Sequence, residues 1–328
     1  MLKWYRKRMK VSIVIPVYYN EDNLRPLYAD IKEKIIDKID YDYEIVMVND
    51  GSKDRSYEVM QELAGQDPNI KIVSLSRNFG SHAAILCGLE KCTGDCAVVK
   101  AADLQEHTEL ILKMVESWKK GNNVVLAVRQ DREESFGTKL FANTYYWMVR
   151  KSALSNMPKG GFDVYLLDQK VIRVLLSLDE RNSALTGQIL WSGFKTEEIP
   201  YVRLEREIGT SKWTLKKKVR LVADTLFSFS TLPITLVTMI GTLSCIGAVI
   251  WGIVVLVCKI MGMIQVSGWT TLFIFNLCSF GIIMVTLVIL GGYLWRTFDA
   301  SRNRPTYIVE DENTLDQEKG ENKHEDHA

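Results

Sequence analysis

From Val11 onward the chain alternates short apolar runs rich in β-branched residues with segments whose apolar positions recur every three to four residues. The runs Val11–Val17, Glu44–Val48, Ile72–Leu75, Ala97–Val99 and Val124–Val128 predict strands; Leu24–Ile36, Ser56–Leu63, Ala83–Leu89, Ile111–Trp118 and Phe136–Val149 predict helices. Such alternation is a βαβ series, which closes as a mainly parallel sheet with helices on both faces. The pattern then changes: Thr225–Cys258 and Ile260–Trp295 contain no charged residue. Each stretch exceeds the roughly 20 apolar residues that cross a ~30 Å hydrocarbon core, where a charge at mid-depth costs about 2.5–3.5 kcal/mol. Two transmembrane helices are predicted, near Leu232–Val257 and Leu272–Leu294. A pair of buried core helices is the alternative, but such helices seldom lack a polar face over this length.

Charge orients the pair. Lys216, Lys217, Lys218 and Arg220 precede the first span and Arg296, Arg302 and Arg304 follow the second, whereas the short connection around Met261–Gly268 has only Lys259 at its edge. The positive-inside rule then puts both termini and the α/β domain on the cytoplasmic side, as a multi-pass protein of the inner membrane. Overall the net charge is +1, which excludes a nucleic-acid binder with a broad basic field. Residues 1–10 form a basic-aromatic arm (Lys3, Arg6, Lys7, Arg8 and Lys10 with Trp4 and Tyr5), suited to an anionic membrane surface or simply solvated; no apolar stretch follows to make a signal peptide. Residues 213–230 carry basic positions early and Leu221, Val222, Leu226, Phe227 and Phe229 late, as an interfacial helix or a plain connector would. Residues 298–328 form a cytoplasmic tail, acidic and nearly free of apolar residues from Glu310, and are expected to be disordered. Cys87, Cys92 and Cys96 lack a C-x-x-C spacing and are expected to be reduced buried thiols rather than a zinc site.

In an open parallel sheet, ligands gather beyond the carboxyl ends of the strands. The residues predicted there are polar: Tyr18, Tyr19, Asn20 and Glu21; Asn49, Asp50, Gly51 and Ser52; Arg77, Asn78 and Phe79; Asp103, Gln105 and Glu106. Asn-Asp-Gly-Ser alone could be an ordinary turn before a helix, but four polar strand ends converge on one crevice. No G-x-G-x-x-G, Walker A loop or G-x-S-x-G elbow is present, so dinucleotide oxidoreductase, NTPase and α/β-hydrolase lack their defining parts. What remains is a carboxylate-lined nucleotide pocket, in which an Asp can ligate a hard cation that takes its other oxygens from a diphosphate.

The ordered segments Val11–Glu21, Val48–Ser52, Ser76–Gly80, Ala102–Glu106 and Gly209–Trp213, followed by two spans, resemble the family 2 glycosyltransferases of GT-A fold that act on polyprenyl phosphates, such as bactoprenol glucosyltransferases and dolichyl-phosphate mannose synthases. The likeness runs from about Lys10 to Arg304. It implies an α/β GT-A domain over residues 11–212 followed by a transmembrane hairpin over residues 231–297. It implies inverting transfer of a sugar from a nucleotide sugar, a UDP-sugar by preference, to undecaprenyl phosphate for cell-envelope glycosylation. By the same resemblance Pro16, Tyr18, Asn20, Glu21, Asp50, Ser52, Asn78 and Ala102 would hold the nucleotide sugar, and Asp103 would bind Mg²⁺ or Mn²⁺. Gln105 would line the sugar and acceptor site; Arg129, Arg132, Ser135 and Lys139 would approach the acceptor phosphate; Arg203, Arg206, Ser211 and Lys212 would flank the diphosphate. A homo-oligomer, up to a tetramer, is expected, with a flippase and a downstream transferase using the lipid-linked sugar.

One position departs from the family's Asp-x-Asp: Ala101 stands where the first Asp is usual. Metal binding is then expected to be weaker, or to lean on Gln105 or Glu106, or the site to be rebuilt around Lys100. The rivals are a non-catalytic membrane-anchored scaffold, which Ala101 would suit, and a polysaccharide synthase. The latter should carry Gln-x-x-Arg-Trp, and Gln188–Trp191 lacks that Arg.

Overall fold

The structure is a computed structural model and describes residues 8–129, 149–151, 154–158, 161–178, 180, 184–204, 225, 230, 232–261 and 268–313. Eight strands form one sheet: β1 (Lys10–Val17), β2 (Asp42–Asn49), β3 (Ile70–Leu75), β4 (Cys96–Val99), β5 (Val124–Arg129), β6 (Phe162–Asp168), β7 (Thr196–Tyr201) and β8 (Val309–Asn313), in the order β7-β5-β6-β4-β1-β2-β3-β8. Strands β3, β2, β1 and β4 are parallel neighbours, as are β5 and β7, while β6 runs antiparallel between β4 and β5.

Alternation along β1 explains the layering. Val11, Ile13, Ile15 and Val17 point into one core, with α1 (Glu21–Lys34), α2 (Ser56–Gln66) and α4 (Leu110–Lys119) over them. Val14 points into the other, with Val46, Val48 and the helices α3 (Ser81–Lys91), α5 (Gln169–Ser177) and α6 (Leu185–Trp191). Helix α3 lies so close to β1 that a Cβ on Gly88 would stand 2.3 Å from Val14 Cγ1. Sheet strands buried on both faces read as continuous apolar runs, which is why their existence was visible in the sequence.

The two apolar C-terminal helices are longer than predicted, α7 at Leu232–Ile260 and α8 at Trp269–Ser301. At ~1.5 Å per residue each exceeds ~40 Å, enough to cross a bilayer and project beyond it. Their sides expose Leu236, Leu243, Ile246, Val249, Trp251, Leu287, Val288 and Leu294. Buried core helices are therefore not what these segments form; both are long and apolar enough to cross a membrane.

Two expectations need correction. The tail does not lose order at residue 298: α8 continues to Ser301, and Val309–Asn313 returns to the α/β domain as an antiparallel edge strand on β3. Here Ile308 O accepts from Ser76 N, Asp311 accepts from Tyr57, Lys91 pairs with Glu312 and Tyr307 bonds Glu90. Lys10 is not part of a free arm. It opens β1, and its ammonium lies 2.8 Å from the buried Glu44, which also accepts from Ser12, 2.6 Å away. The strand β6 and helices α5 and α6 fall in stretches where no element was predicted, and the predicted helix Phe136–Val149 lies almost wholly outside the described residues.

Candidate active site

The rim beyond β3, β2, β1 and β4 is built from loops that hydrogen-bond one another. Asn49 caps the second loop by accepting from Ser52 N at 3.0 Å, and Ser52 Oγ in turn accepts from Tyr19 N at 3.0 Å. Ser56 Oγ accepts from Asn20 N, and Glu21 accepts from Arg55 N at 2.8 Å. Tyr18 donates its amide to Asn20. Tyr19 and Leu104 adopt positive φ of 55° and 56°, a conformation that side chains rarely take and that concentrates at ligand sites. Gly51, at φ 64°, is required by close approach: a Cβ there would meet Arg77 C at 2.4 Å and Asn78 N at 2.6 Å.

Asp50 is the pivot of this rim. It is 3% exposed, and its two oxygens accept from the amides of Phe79 at 2.7 Å and Gly80 at 3.0 Å. The resemblance implies that Asp50 helps hold the nucleotide sugar. The structure adds a scaffold role for the same carboxylate, since it fixes the Arg77–Gly80 loop, where Asn78 is exposed and Arg77 lies 4.0 Å over the Phe79 ring. Pro16 is half-buried at the end of β1.

Across the β1/β4 junction the floor of the crevice is ionic. Lys100 N bonds Val14 O, and the Lys100 ammonium, 1% exposed, donates to Glu106 O at 3.0 Å and lies 3.5 Å from the Glu106 carboxylate. Neither Glu106 carboxylate oxygen accepts a hydrogen bond among the described residues. Burial pushes the Glu106 carboxyl above its ordinary range against the pull of Lys100, and Asp103 adds to the rise. Above this pair the turn displays Asp103 and Gln105 to the segment following β7. Arg203 donates to Gln105 and stands 3.8 Å from Asp103, while Leu204 N bonds Gln105 O at 2.8 Å. Arg203 Nε is buried and finds no partner among the described residues. Arg129 pairs with Asp163 and lies 3.3 Å from the Tyr201 hydroxyl, whose pKa burial raises.

The structure thus brings Asp103, Gln105 and Arg203 into contact, and places Tyr18, Asn20, Glu21, Asp50, Ser52 and Asn78 on the mutually bonded loops after β1, β2 and β3, with Ala102 buried. Arg132, Ser135, Lys139, Arg206, Ser211 and Lys212, with nearly all of residues 213–230, lie outside the described residues. Tyr201 and Asp163 were missed by sequence reasoning, and nothing in their local pattern distinguishes them. Lys100 was recognisable as a lone cation within the apolar run Cys96–Ala102.

Among the described residues no three His, Cys, Asp or Glu side chains cluster as a metal cage. Mg²⁺ is usually held by one or two carboxylates with phosphate oxygens and waters. Asp103 fits that manner of binding, in company with a diphosphate.

The sequence profile described as glycosyl transferase family 2 matches residues 12–212. An uncharacterized glycosyltransferase of Bacillus subtilis, YkcC, is 37% identical over 305 residues, covering 93% of this chain and 94% of that protein. The bactoprenol glucosyl transferase of Shigella phage SfV is 32% identical over 305 residues, covering 93% and 99%. A mannosyltransferase of Pyrobaculum calidifontis, solved in complex with GDP-Man and Mn²⁺, shares 16% identity and a TM-score of 0.45, covering 87% of this chain and 88% of that one. With a family profile over residues 12–212, relatives matched over nearly their whole length, and a mainly parallel sheet whose polar loops gather at its switch point, the chain is a glycosyltransferase belonging to family 2.

Proposed function

We propose that this protein transfers a sugar, by preference from a UDP-sugar, to a membrane polyprenyl phosphate, with inversion at the anomeric carbon. The observation that carries the reading is the joining of a crevice of this type to two helices long enough to cross a bilayer, in a chain that resembles a bactoprenol glucosyl transferase from end to end. A lipid phosphate presented at the cytoplasmic surface is then the acceptor within reach, with both termini on that side.

The chemistry asks little of a base. A phosphate monoester is already anionic at pH 7, so its oxygen attacks the anomeric carbon as the bond to the nucleoside diphosphate breaks. The crevice orients the two reactants: the loops at Tyr18–Glu21, Asp50–Ser52 and Asn78 receive the nucleoside, and Gln105 and Arg203 face the sugar and diphosphate. Charge that grows on the leaving diphosphate is met by Arg203, by Arg206 and Lys212 in the following segment, and by Asp103 through Mg²⁺ or Mn²⁺, which would supply Lewis-acid stabilisation when bound. Arg129, Arg132, Ser135 and Lys139 receive the acceptor phosphate. The product suits a flippase and a second transferase acting on the opposite membrane face, and the protein works as a homo-oligomer.

The test is transfer by the purified protein in lipid nanodiscs, with radiolabelled UDP-sugars or GDP-sugars and undecaprenyl phosphate. An organic-extractable, acid-labile lipid-linked sugar is expected, with inverted configuration by NMR. Absence of lipid product from every donor would refute the reading and favour a scaffold.

A further inference from the structure

Among the described residues, Lys100 is the cation buried against the turn that carries Asp103 and Glu106. Among the described residues each of the two acidic side chains of the turn sits beside a cation, Asp103 at 3.8 Å from Arg203 and Glu106 at 3.5 Å from Lys100. The nearby Arg129 is matched by Asp163. At 1% exposure the Lys100 ammonium has lost its water, and its observed partners are the carbonyl and carboxylate of Glu106. Glu106 is 3% exposed and neither of its carboxylate oxygens accepts a hydrogen bond among the described residues. A buried carboxylate in that state would be a strong attractor for any cation, and the attached ammonium is the one already in place. It comes from the residue beside Ala101, where the loss of a carboxylate removes the negative charge that would otherwise demand a second cation.

We propose that the buried Lys100 ammonium is a resident counter-cation for the Asp103–Glu106 turn, standing in for part of a divalent ion's charge and leaving capture of the nucleoside diphosphate nearly independent of metal. Lys100 is a positioning residue: it holds the turn that presents Asp103 and Gln105, where Leu104 takes a positive φ, and does so through the main-chain carbonyl of Glu106 as well as its charge. A divalent ion that arrives with the diphosphate at Asp103 then assists the departure of charge rather than the capture of donor. The inference rests on the reading that the crevice holds a nucleoside diphosphate.

The experiment is titration calorimetry of UDP, and of GDP, into the full-length detergent-solubilised protein, in EDTA and in Mn²⁺, with Mn²⁺ binding followed separately by electron paramagnetic resonance. Wild-type affinity for the preferred nucleotide is expected to differ by no more than about threefold between the two conditions. Lys100→Met, which leaves Glu106 uncompensated, should lose about tenfold or more in EDTA, recover in Mn²⁺ and bind Mn²⁺ more tightly. Lys100→Met/Glu106→Gln, which removes both charges, should return to wild-type behaviour, separating charge from shape. If the single variant fails to fold, Ala101→Asp creates the same excess of one negative charge and should make nucleotide binding metal-dependent. Wild-type binding that vanishes in EDTA and returns with Mn²⁺, or a double variant that stays metal-dependent, overturns the proposal while leaving the transferase reading intact. Failure of both nucleotides to bind under either condition overturns both.

Discussion

The Tyr57 hydroxyl donates to Asp311 at 2.6 Å, joining residues 254 positions apart and tying the segment after α8 to α2. Val309–Asn313 covers the edge of β3, and an uncovered edge is a template for pairing with other chains. Eight residues of extended chain span at most ~28 Å, so the sheet edge is leashed to the end of α8 at Ser301. Truncation after Arg304 is expected to lower the melting temperature by several degrees and raise aggregation, whereas Tyr57→Phe should cost only about 1 kcal/mol. Scanning fluorimetry with light scattering checks this; an unchanged melting curve for the truncated chain would show that the strap contributes nothing.

Asp50 accepts two amide hydrogens, and Asn can accept with one oxygen only, turning an NH₂ group toward a backbone N–H. Asp50→Asn should therefore destabilise the protein by about 1–3 kcal/mol and loosen the Arg77–Gly80 loop. In transfer assays the donor KM should rise more than kcat falls. A variant with wild-type stability and raised KM would mean that the carboxylate serves the nucleotide alone.

Much of this was legible in the sequence because parallel strands buried on both faces write their positions as apolar runs, and β1 to β5 and α1 to α4 were all readable. The return of β8 was not, since Val309–Asn313 is acidic with no fully buried residue, and the register with β3 comes from tertiary contacts with Tyr57, Lys91 and Ser76 that no local pattern encodes. Within the site, Asp103, Gln105 and Asp50 stood out as polar residues at strand ends. The Arg203 contact to Gln105 was not visible, because the two are 98 positions apart. Likewise Asp50 as a clamp on the next loop depends on the close passage of Gly51 against Arg77.

Glu44 predicts the acid sensitivity of the domain. Burial alone would raise its pKa, but hydrogen bonds from Lys10, Ser12 and Thr93 hold it down at about 2, against an unfolded value near 4.5. A lowered folded pKa gives stability that is present above the unfolded pKa and lost as pH falls through the folded one. The contribution of about 3 kcal/mol should thus be complete near pH 6 and drain between about pH 4.5 and 2. Glu44→Gln should unfold more readily at pH 7 and show a flatter acid limb in urea titrations across that window. Parallel curves for the two proteins would remove Glu44 from the account.

Arg203 distinguishes charge from geometry at the crevice. Its Nη2 alone donates to Gln105 and stands 3.8 Å from Asp103, while Nε is buried without a partner among the described residues, so the guanidinium carries a second buried donor that an ammonium lacks. If it meets charge that develops on the departing diphosphate, Arg203→Ala should depress kcat by about 10²-fold or more, with a smaller change in donor KM. Asp103→Asn should fall by a similar factor while retaining the fold, since the amide keeps the shape but loses the charge that a divalent ion would need. Arg203→Lys is the informative case: it preserves the charge and loses the buried Nε donor, so its kcat is expected between those of wild type and Arg203→Ala. Full activity in the lysine variant, measured by initial rates of lipid-linked sugar formation, would show that the bridge from Arg203 to Gln105 is dispensable and that a positive charge near Asp103 is all the reaction requires.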